Sequence, residues 1–431
     1  MAEDKARNRV PSCDSARERN AVFRPQGPAV ARMDFSNGLL GGIHGMRIES
    51  VRTFLVHPGS AKNLLFVKLE TDAGIHGWGE AYTQHDRDRS VQVHVEELGR
   101  YLTGRSPFDI KHFTYVAYTD FAGKRGAMDL YAAISAIEQA MWDIVGKSLN
   151  QPVHNLLGGA CRTRIKVYAN GWGSWYDPGK GLDELAERAA SVVARGFTAL
   201  KFDPFPGPWR SIIDREVEQT AVDRVGAVRE AVGPDVDILV EVHRRLSPAH
   251  AIRVARGMEP YNPFWYEEPV SSRDLDGLAE AKRSIRIPVV TGEELYTKTE
   301  FREVFEKRAA DIINPDVCNC GGILELREIA AMADRCHVAV TPPNQHRTIV
   351  ALPTTMQAAA GMPNFLITEY FVNFEPAGNE IAVDPFVVED GYITLPTVAG
   401  LGIDLDERAL AEHPFRSFPE RNLRRPRDEW P

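Results

Sequence analysis

From residue 165 onward the chain repeats one unit. Short apolar runs, VYAN, ALKF, ILVEV, FWYEE, VVTGE, DIIN, VAVT and FLIT, recur with an amphipathic helix between most of them. In GLDELAERAASVVARG, Leu182, Leu185, Ala189, Val192 and Val193 fall on one helical face, and Gly196 stands where a C-terminal cap belongs. Parallel strands need a crossover long enough to hold a helix, so this alternation requires a parallel α/β sheet. Eight such strands predict closure into a TIM-like barrel rather than an open doubly wound sheet. No G-x-G-x-x-G follows the first run, which removes the main support for a dinucleotide fold.

Ahead of the repeat, residues 46–157 read as a small α+β domain, strands first and helices after. MRIESVRTFLVH alternates like a strand, and LLFVKLETDAGIHGWGEA reads as a hairpin around Thr71-Asp72-Ala73-Gly74. In YAAISAIEQAMWDIVGK, Ala133, Ile137, Ala140, Met141 and Ile144 share a helical face. Residues 1–44 are charged, punctuated by Pro, Ser and Asn, and lack a periodic apolar face, so a disordered extension is expected there. The barrel is assigned to residues 158–377. The Pro- and Asp-rich segment 378–431 is expected to pack back on the small domain and to end in the loose tail RNLRRPRDEWP.

Charge narrows the partners. With 60 Asp and Glu against 51 Lys and Arg, the formal net charge is −9. That balance lacks the basic footprint of a nucleic-acid binder and suits a site that collects a cation. No apolar run approaches the roughly 18–20 residues of a membrane span, and the N-terminus has no apolar signal core. A cytoplasmic protein with neither nucleic-acid nor membrane partner is expected. Five thinly spread cysteines read as those of a reduced protein. Cys318-Asn319-Cys320 has too short a spacing, and no partner pair, for a strong metal signal, and reads as a pair of buried free thiols.

Barrel strands present their reactive side chains at their C-terminal ends. Read that way, three successive runs end in Glu241, Glu267 and Glu293, at intervals of 26 residues. Equal spacing in a βα repeat predicts equal height on neighbouring strands. Isolated rim glutamates usually pair with arginines. Three in register repel one another unless a cation sits among them, and all-oxygen donors suit Mg²⁺ or Mn²⁺.

These residues carry a resemblance. GWGEA, AMWDIVGK followed by PVHNLLGG, WYEEP, GEE and PDVCNCGGILELREIA are similar to segments of the enolase superfamily, mandelate racemase subgroup, over roughly residues 46–400. The resemblance implies an N-terminal α+β capping domain on a modified (β/α)₇β barrel. It implies Mg²⁺ on Glu241, Glu267 and Glu293, abstraction of the proton α to a carboxylate, and a homo-oligomeric assembly. Lys201, ending ALKFD, is then the cation that helps absorb charge on the enediolate. The subgroup often has a second lysine two residues on, where this chain has Asp203. Three roles stand for Asp203: a substrate contact, a partner for Lys201, or a cap for the loop before Pro204.

In EVHRRLSP, His243 resembles the general acid of galactonate-type dehydratases. Strand alternation puts it on the side of Glu241. Asp316 matches the aspartate that pairs with a histidine on the next strand, but Pro343 stands at that histidine's place. His346, three residues on, is the candidate α-proton base, with Asn344 as a polar neighbour; the alternative is His243 as both base and acid. Glu369, ending FLITE, is a candidate substrate contact. Looser candidates are Tyr82, Gln84, His85 and Arg125 for hydroxyl recognition, and Trp172 and Trp175 as cover for the mouth. One base with one acid favours dehydration of a sugar acid (an aldonate) to a 2-keto-3-deoxy acid. A racemase, epimerase or cycloisomerase on the same scaffold and a non-catalytic sugar-acid binder stand as alternatives.

Overall fold

The computed structural model describes residues 45–418 apart from 60–61, 85, 123–127, 174–180, 208 and 345–348, together with residue 426. The expected N-terminal extension, residues 1–44, lies outside them. β1 (Ile48–Val56), β2 (Leu64–Thr71) and β3 (His76–Ala81) form an antiparallel sheet in that order. The expected hairpin is present. The Gly74 N–H donates to Thr71 O at 2.9 Å, and Gly74 takes φ 74°, where a side chain would be strained.

Four helices follow: α1 (Asp88–Leu102), α2 (Ile110–Val116), α3 (Met128–Ser148) and α4 (Val153–Leu156). α3 lies directly on β3. A Cβ on Gly79 would stand 1.9 Å from Ala136 O, and one on Gly77 2.2 Å from Ala140 O. The two glycines of GWGEA thus let strand and helix backbones touch. The face read from the sequence is buried, but so is nearly all of α3 from Leu130 to Gly146. The reason is a second partner on its other side. Glu138 accepts from the backbone N–H groups of Ile323 at 2.8 Å and Leu324 at 3.0 Å, at the start of a barrel helix. Burial pushes the Glu138 carboxyl up to about 7 despite those donors.

The barrel strands are β4 (Arg164–Asn170), β5 (Ala199–Phe202), β6 (Asp237–Glu241), β7 (Trp265–Glu267), β8 (Val289–Thr291), β9 (Ile312–Ile313), β10 (Ala339–Val340) and β11 (Thr368–Phe371). The helices between them are α5 (Gly181–Ala194), α6 (Arg215–Val232), α7 (Pro248–Met258), α8 (Leu275–Ser284), α9 (Thr297–Lys307), α10 (Ile323–Arg335) and α11 (Ala351–Ala360). Neighbouring strands pair parallel in the order β10-β9-β8-β7-β6-β5-β4-β11. The last strand closes the ring in two halves. Phe365 bridges Val340 and the Leu366 N–H donates to Val340 O, whereas Thr368–Phe371 pair with β4. The run FLIT therefore faces β10, and the strand proper begins where it ends. Inside the ring, Tyr168, Ala199, Leu239, Trp265, Val290, Ile312 and Ile367 form one packed cluster.

Beyond the ring come α12 (Glu375–Ile381), β12 (Tyr392–Thr394) and α13 (Glu407–Glu412). β12 pairs antiparallel with β4, Asp404 accepts from Trp78 Nε1 at 2.6 Å, and Glu407 pairs with Lys68 at 2.6 Å and Arg52 at 2.8 Å. Among the described residues, no helix is long and apolar enough to cross a membrane.

Candidate active site

The C-terminal ends of β5, β6 and β7 bring Lys201, Glu241 and Glu267 together. Glu241 is the register partner of Glu267, as equal spacing predicts. Glu293 departs from that reading. Val290 is the residue opposite Glu267, so Glu293 lies beyond the end of β8. It reaches the group because Gly292 turns the chain at φ 134°. One carboxylate oxygen from each of Glu241, Glu267 and Glu293 lies within 4.8 Å of the others, and all three residues are buried.

Donors crowd these oxygens. Lys201 Nζ stands 2.9 Å from Glu267 Oε1, 3.3 Å from Glu241 Oε2 and 3.1 Å from Glu369 Oε1. Glu267 also accepts from Trp265 Nε1 at 3.0 Å and Asn314 Nδ2 at 2.8 Å. The Arg244 guanidinium lies 3.3 Å from Glu293 Oε1, 2.7 Å from Glu268 and 3.3 Å from Glu294.

Burial works against the charges of Lys201, Glu241, Glu267, Glu268 and Arg244. Against it, the nearby His243 and Lys201 pull the Glu241 carboxyl down to about 2. Burial, then the Glu241 charge, pushes Glu267 well up. Lys201 is desolvated too, but Glu267, Glu369 and Glu241 outweigh that and hold it well above the ordinary lysine range. The three clustered carboxylates therefore repel one another. A divalent cation would relieve that repulsion, and the donor set of three hard carboxylates fits one.

His243 reaches the site by a turn, not by strand alternation. β6 ends at Glu241, and His243 and Arg244 take φ 53° and 63°. Two successive side chains in the left-handed region cost about 1–2 kcal/mol each. The Val242 N–H to Glu267 O and Arg244 N–H to Glu268 O bonds hold them there. The His243 N–H donates to Glu241 Oε1 at 2.8 Å, and its Nδ1 lies 2.8 Å from Asp203 Oδ2. Burial lowers the imidazole pKa, but Glu241 and Asp203 reverse this and raise it above the ordinary histidine value. Asp203 caps its loop, accepting from the Phe205 N–H at 2.9 Å, and also lines the cavity where a substrate contact was expected. Its other oxygen serves His243 and Arg245.

Lys201, Asp203, Glu241, His243, Glu293 and Glu369 line one cavity of about 270 Å³, together with Phe202 and Phe371. Glu369 accepts from Asn170 Nδ2 at 2.7 Å and the Asn344 N–H at 2.9 Å. Asp316 is buried, accepts from the Cys318 N–H at 2.8 Å, and does not line this cavity. Neither does Tyr82, which is packed under Lys62 with its hydroxyl bound by Gln84. Trp172 is buried against Phe202 rather than spread over the mouth. His346, Arg125, His85 and Trp175 lie outside the described residues. Asn170, Arg244 and Asn314 were not among the expected site residues. Asn170 and Asn314 close the runs VYAN and DIIN, so the strand-end rule that found the glutamates also points to them. Arg244 had no such signal.

Residues 51–158 match the family described as mandelate racemase / muconate lactonizing enzyme, N-terminal domain, and residues 184–409 match the family described as enolase C-terminal domain-like. The D-gluconate dehydratase of Thermoproteus tenax is 35% identical over 352 residues, 81% of this chain and 69% of that protein. The D-gluconate/D-galactonate dehydratase of Picrophilus torridus is 32% identical over 85% of this chain and 92% of its own length. A crystal structure of a mandelate racemase/muconate lactonizing enzyme-like protein from Rubrobacter xylanophilus superposes with a TM-score of 0.79 at 32% identity, covering 87% of this chain and 99% of that one. Fold, carboxylate triad and both matched domains agree: this chain belongs to the enolase superfamily, in its mandelate racemase and muconate lactonizing enzyme branch.

Proposed function

We propose that this protein is a Mg²⁺-dependent hydro-lyase that removes water from a sugar acid, an aldonate, to give a 2-keto-3-deoxy acid. The observation that carries this is one cavity lined by Glu241, Glu293, Lys201 and an Asp203-held His243, with the third buried carboxylate, Glu267, bonded to Lys201 and within 4.8 Å of the other two. Relatives named for dehydration of D-gluconate and D-galactonate support it.

Glu241, Glu267 and Glu293 would hold the metal, which when bound would supply positive charge against the negative charge that develops on the substrate carboxylate as the α-proton leaves. Lys201, kept charged by its carboxylate neighbours, adds a second cation beside the substrate carboxylate. With Nδ1 turned to Asp203, the His243 ring keeps its hydrogen there and leaves Nε2 to exchange a proton with the substrate. Protonated His243 gives that proton to the C3 hydroxyl, which departs as water as the C–O bond breaks. The base that takes the C2 proton is assigned to His346. Glu369 meets the substrate from the eighth strand, and Asp316 and Tyr82 support the surrounding loops.

Incubation of the full chain with MgCl₂ and a panel of aldonates, with 2-keto acid trapped as the semicarbazone, tests the reading. Product from at least one aldonate is expected. Exchange of the C2 proton in D₂O with no keto acid would replace dehydration by racemisation. Stabilisation by sugar acids with neither exchange nor product would make the protein a binder.

A further inference from the structure

Trp209, in the segment after β5, is 56% exposed, yet its indole stacks on the His243 imidazole with ring centroids 5.3 Å apart and planes at 23°. The Arg245 guanidinium carbon lies 4.6 Å from the centroid of the same indole and 5.2 Å from that of Phe205. Arg245 is buried. Its Nε donates to Val242 O at 2.8 Å, and its Nη2 pairs with Asp203 Oδ2, the same oxygen that faces His243 Nδ1. The contacts form a closed circuit from His243 to Asp203, Arg245, Trp209 and back to His243.

We propose that Trp209 and Arg245 are positioning residues that fix the plane and tautomer of the His243 ring; this rests on the proton-transfer role given to His243 above. The torsion that turns an imidazole is broad, so a single hydrogen bond at Nδ1 leaves the ring free to pivot about that contact. A stacked indole removes the pivot. Arg245 holds both ends of the circuit, because its planar cation pairs with the carboxylate and lies on the aromatic face at once. The geometry matters because misplacement of a reacting group by about 1 Å can cost about a hundredfold in rate. An exposed tryptophan without such a role would be replaceable at within about 0.5 kcal/mol of stability.

The test is steady-state kinetics of Trp209→Ala, Trp209→Phe and Arg245→Lys in the full Mg²⁺-loaded chain. Because Trp209 is largely exposed, Trp209→Ala is expected to fold and to keep its Mg²⁺-linked stabilisation. Its kcat should fall about tenfold to a hundredfold with KM within about twofold. Trp209→Phe keeps a stacking ring and should recover most of the rate. Arg245→Lys keeps the charge, loses the planar fork and should resemble Trp209→Ala. A Trp209→Ala kcat equal to wild type overturns the proposal, as does a raised KM with kcat unchanged, which would make Trp209 a substrate contact. If the wild type dehydrates no sugar acid, the functional reading fails and the ring itself decides. In protein labelled with ¹⁵N-histidine, the His243 signals, assigned by their loss in His243→Asn, should report one tautomer with hydrogen on Nδ1. Averaging of those signals in Trp209→Ala supports the circuit, and unchanged signals overturn it.

Discussion

Replacing Glu267 by Gln separates the metal site from the fold. In the metal-free protein the substitution removes opposing terms. Glu241 and Glu293 each place an oxygen within 4.8 Å, a repulsion of roughly 3.5 kcal/mol per pair at an effective dielectric of about 20. Lys201 at 2.9 Å contributes an attraction of about 6 kcal/mol on the same scale. These nearly cancel, so the charge change itself should move metal-free stability little. What remains is a hydrogen bond. Lys201, Asn314 and Trp265 all donate to Glu267, and a Gln amide turns an N–H₂ toward one of them, at a cost of about 1–3 kcal/mol. The metal-linked term behaves differently. If Glu267 is a ligand as proposed, Mg²⁺ at a hundredfold excess over its dissociation constant should stabilise the wild type by about 2.7 kcal/mol. Loss of one carboxylate, with affinity down about a hundredfold, should cut that to about 0.4 kcal/mol at the same concentration. Urea unfolding followed by tryptophan fluorescence, in Mg²⁺ and in EDTA, measures both quantities. An Mg²⁺-induced shift as large in the variant as in the wild type would refute the assignment of Glu267 as a ligand.

Three further outcomes are expected. His243→Asn should lower turnover at least about a hundredfold while leaving Mg²⁺-linked stabilisation intact; retained dehydration in the keto-acid assay would remove His243 as the acid. Glu138, raised to about 7 in the folded protein from an ordinary value of 4.5, contributes stability that is fully present below about pH 4.5 and is lost as pH rises through 7. The difference in unfolding free energy between wild type and Glu138→Gln should therefore change by about 3 kcal/mol across that window, and a pH-independent difference would refute it. Gly79→Ala puts a Cβ 1.9 Å from Ala136 O, so β3 and α3 must separate, at a cost of about 3 kcal/mol or more. An unchanged urea midpoint would show that the strand–helix contact is not tight.

The barrel was legible because its information is local. Each strand is a short apolar run, each helix a periodic face, and the polar residue closing a run marks the reactive end. That rule found Glu241, Glu267 and Lys201, and applied evenly it reaches Asn170 and Asn314. Glu293 was found for an incomplete reason: equal spacing suggested equal height, but the residue arrives from beyond its strand through the turn at Gly292. His243 was found by alternation that the backbone does not obey, since β6 stops at Glu241 and the next turn is left-handed. No periodicity encodes such a turn. It is held by bonds to Glu267, which ends the neighbouring strand, and to Glu268 just beyond it. The same limit applies to the pairs far apart in the chain. Asp203 meets His243 across 40 residues, and Glu138 meets the start of α10 across 185. Spacing along a chain sets which face a side chain takes within its own element. Which partner satisfies a buried charge is set by how the elements pack, and here packing gave Asp203 to His243, Arg244 to Glu293 and Glu138 to a barrel helix.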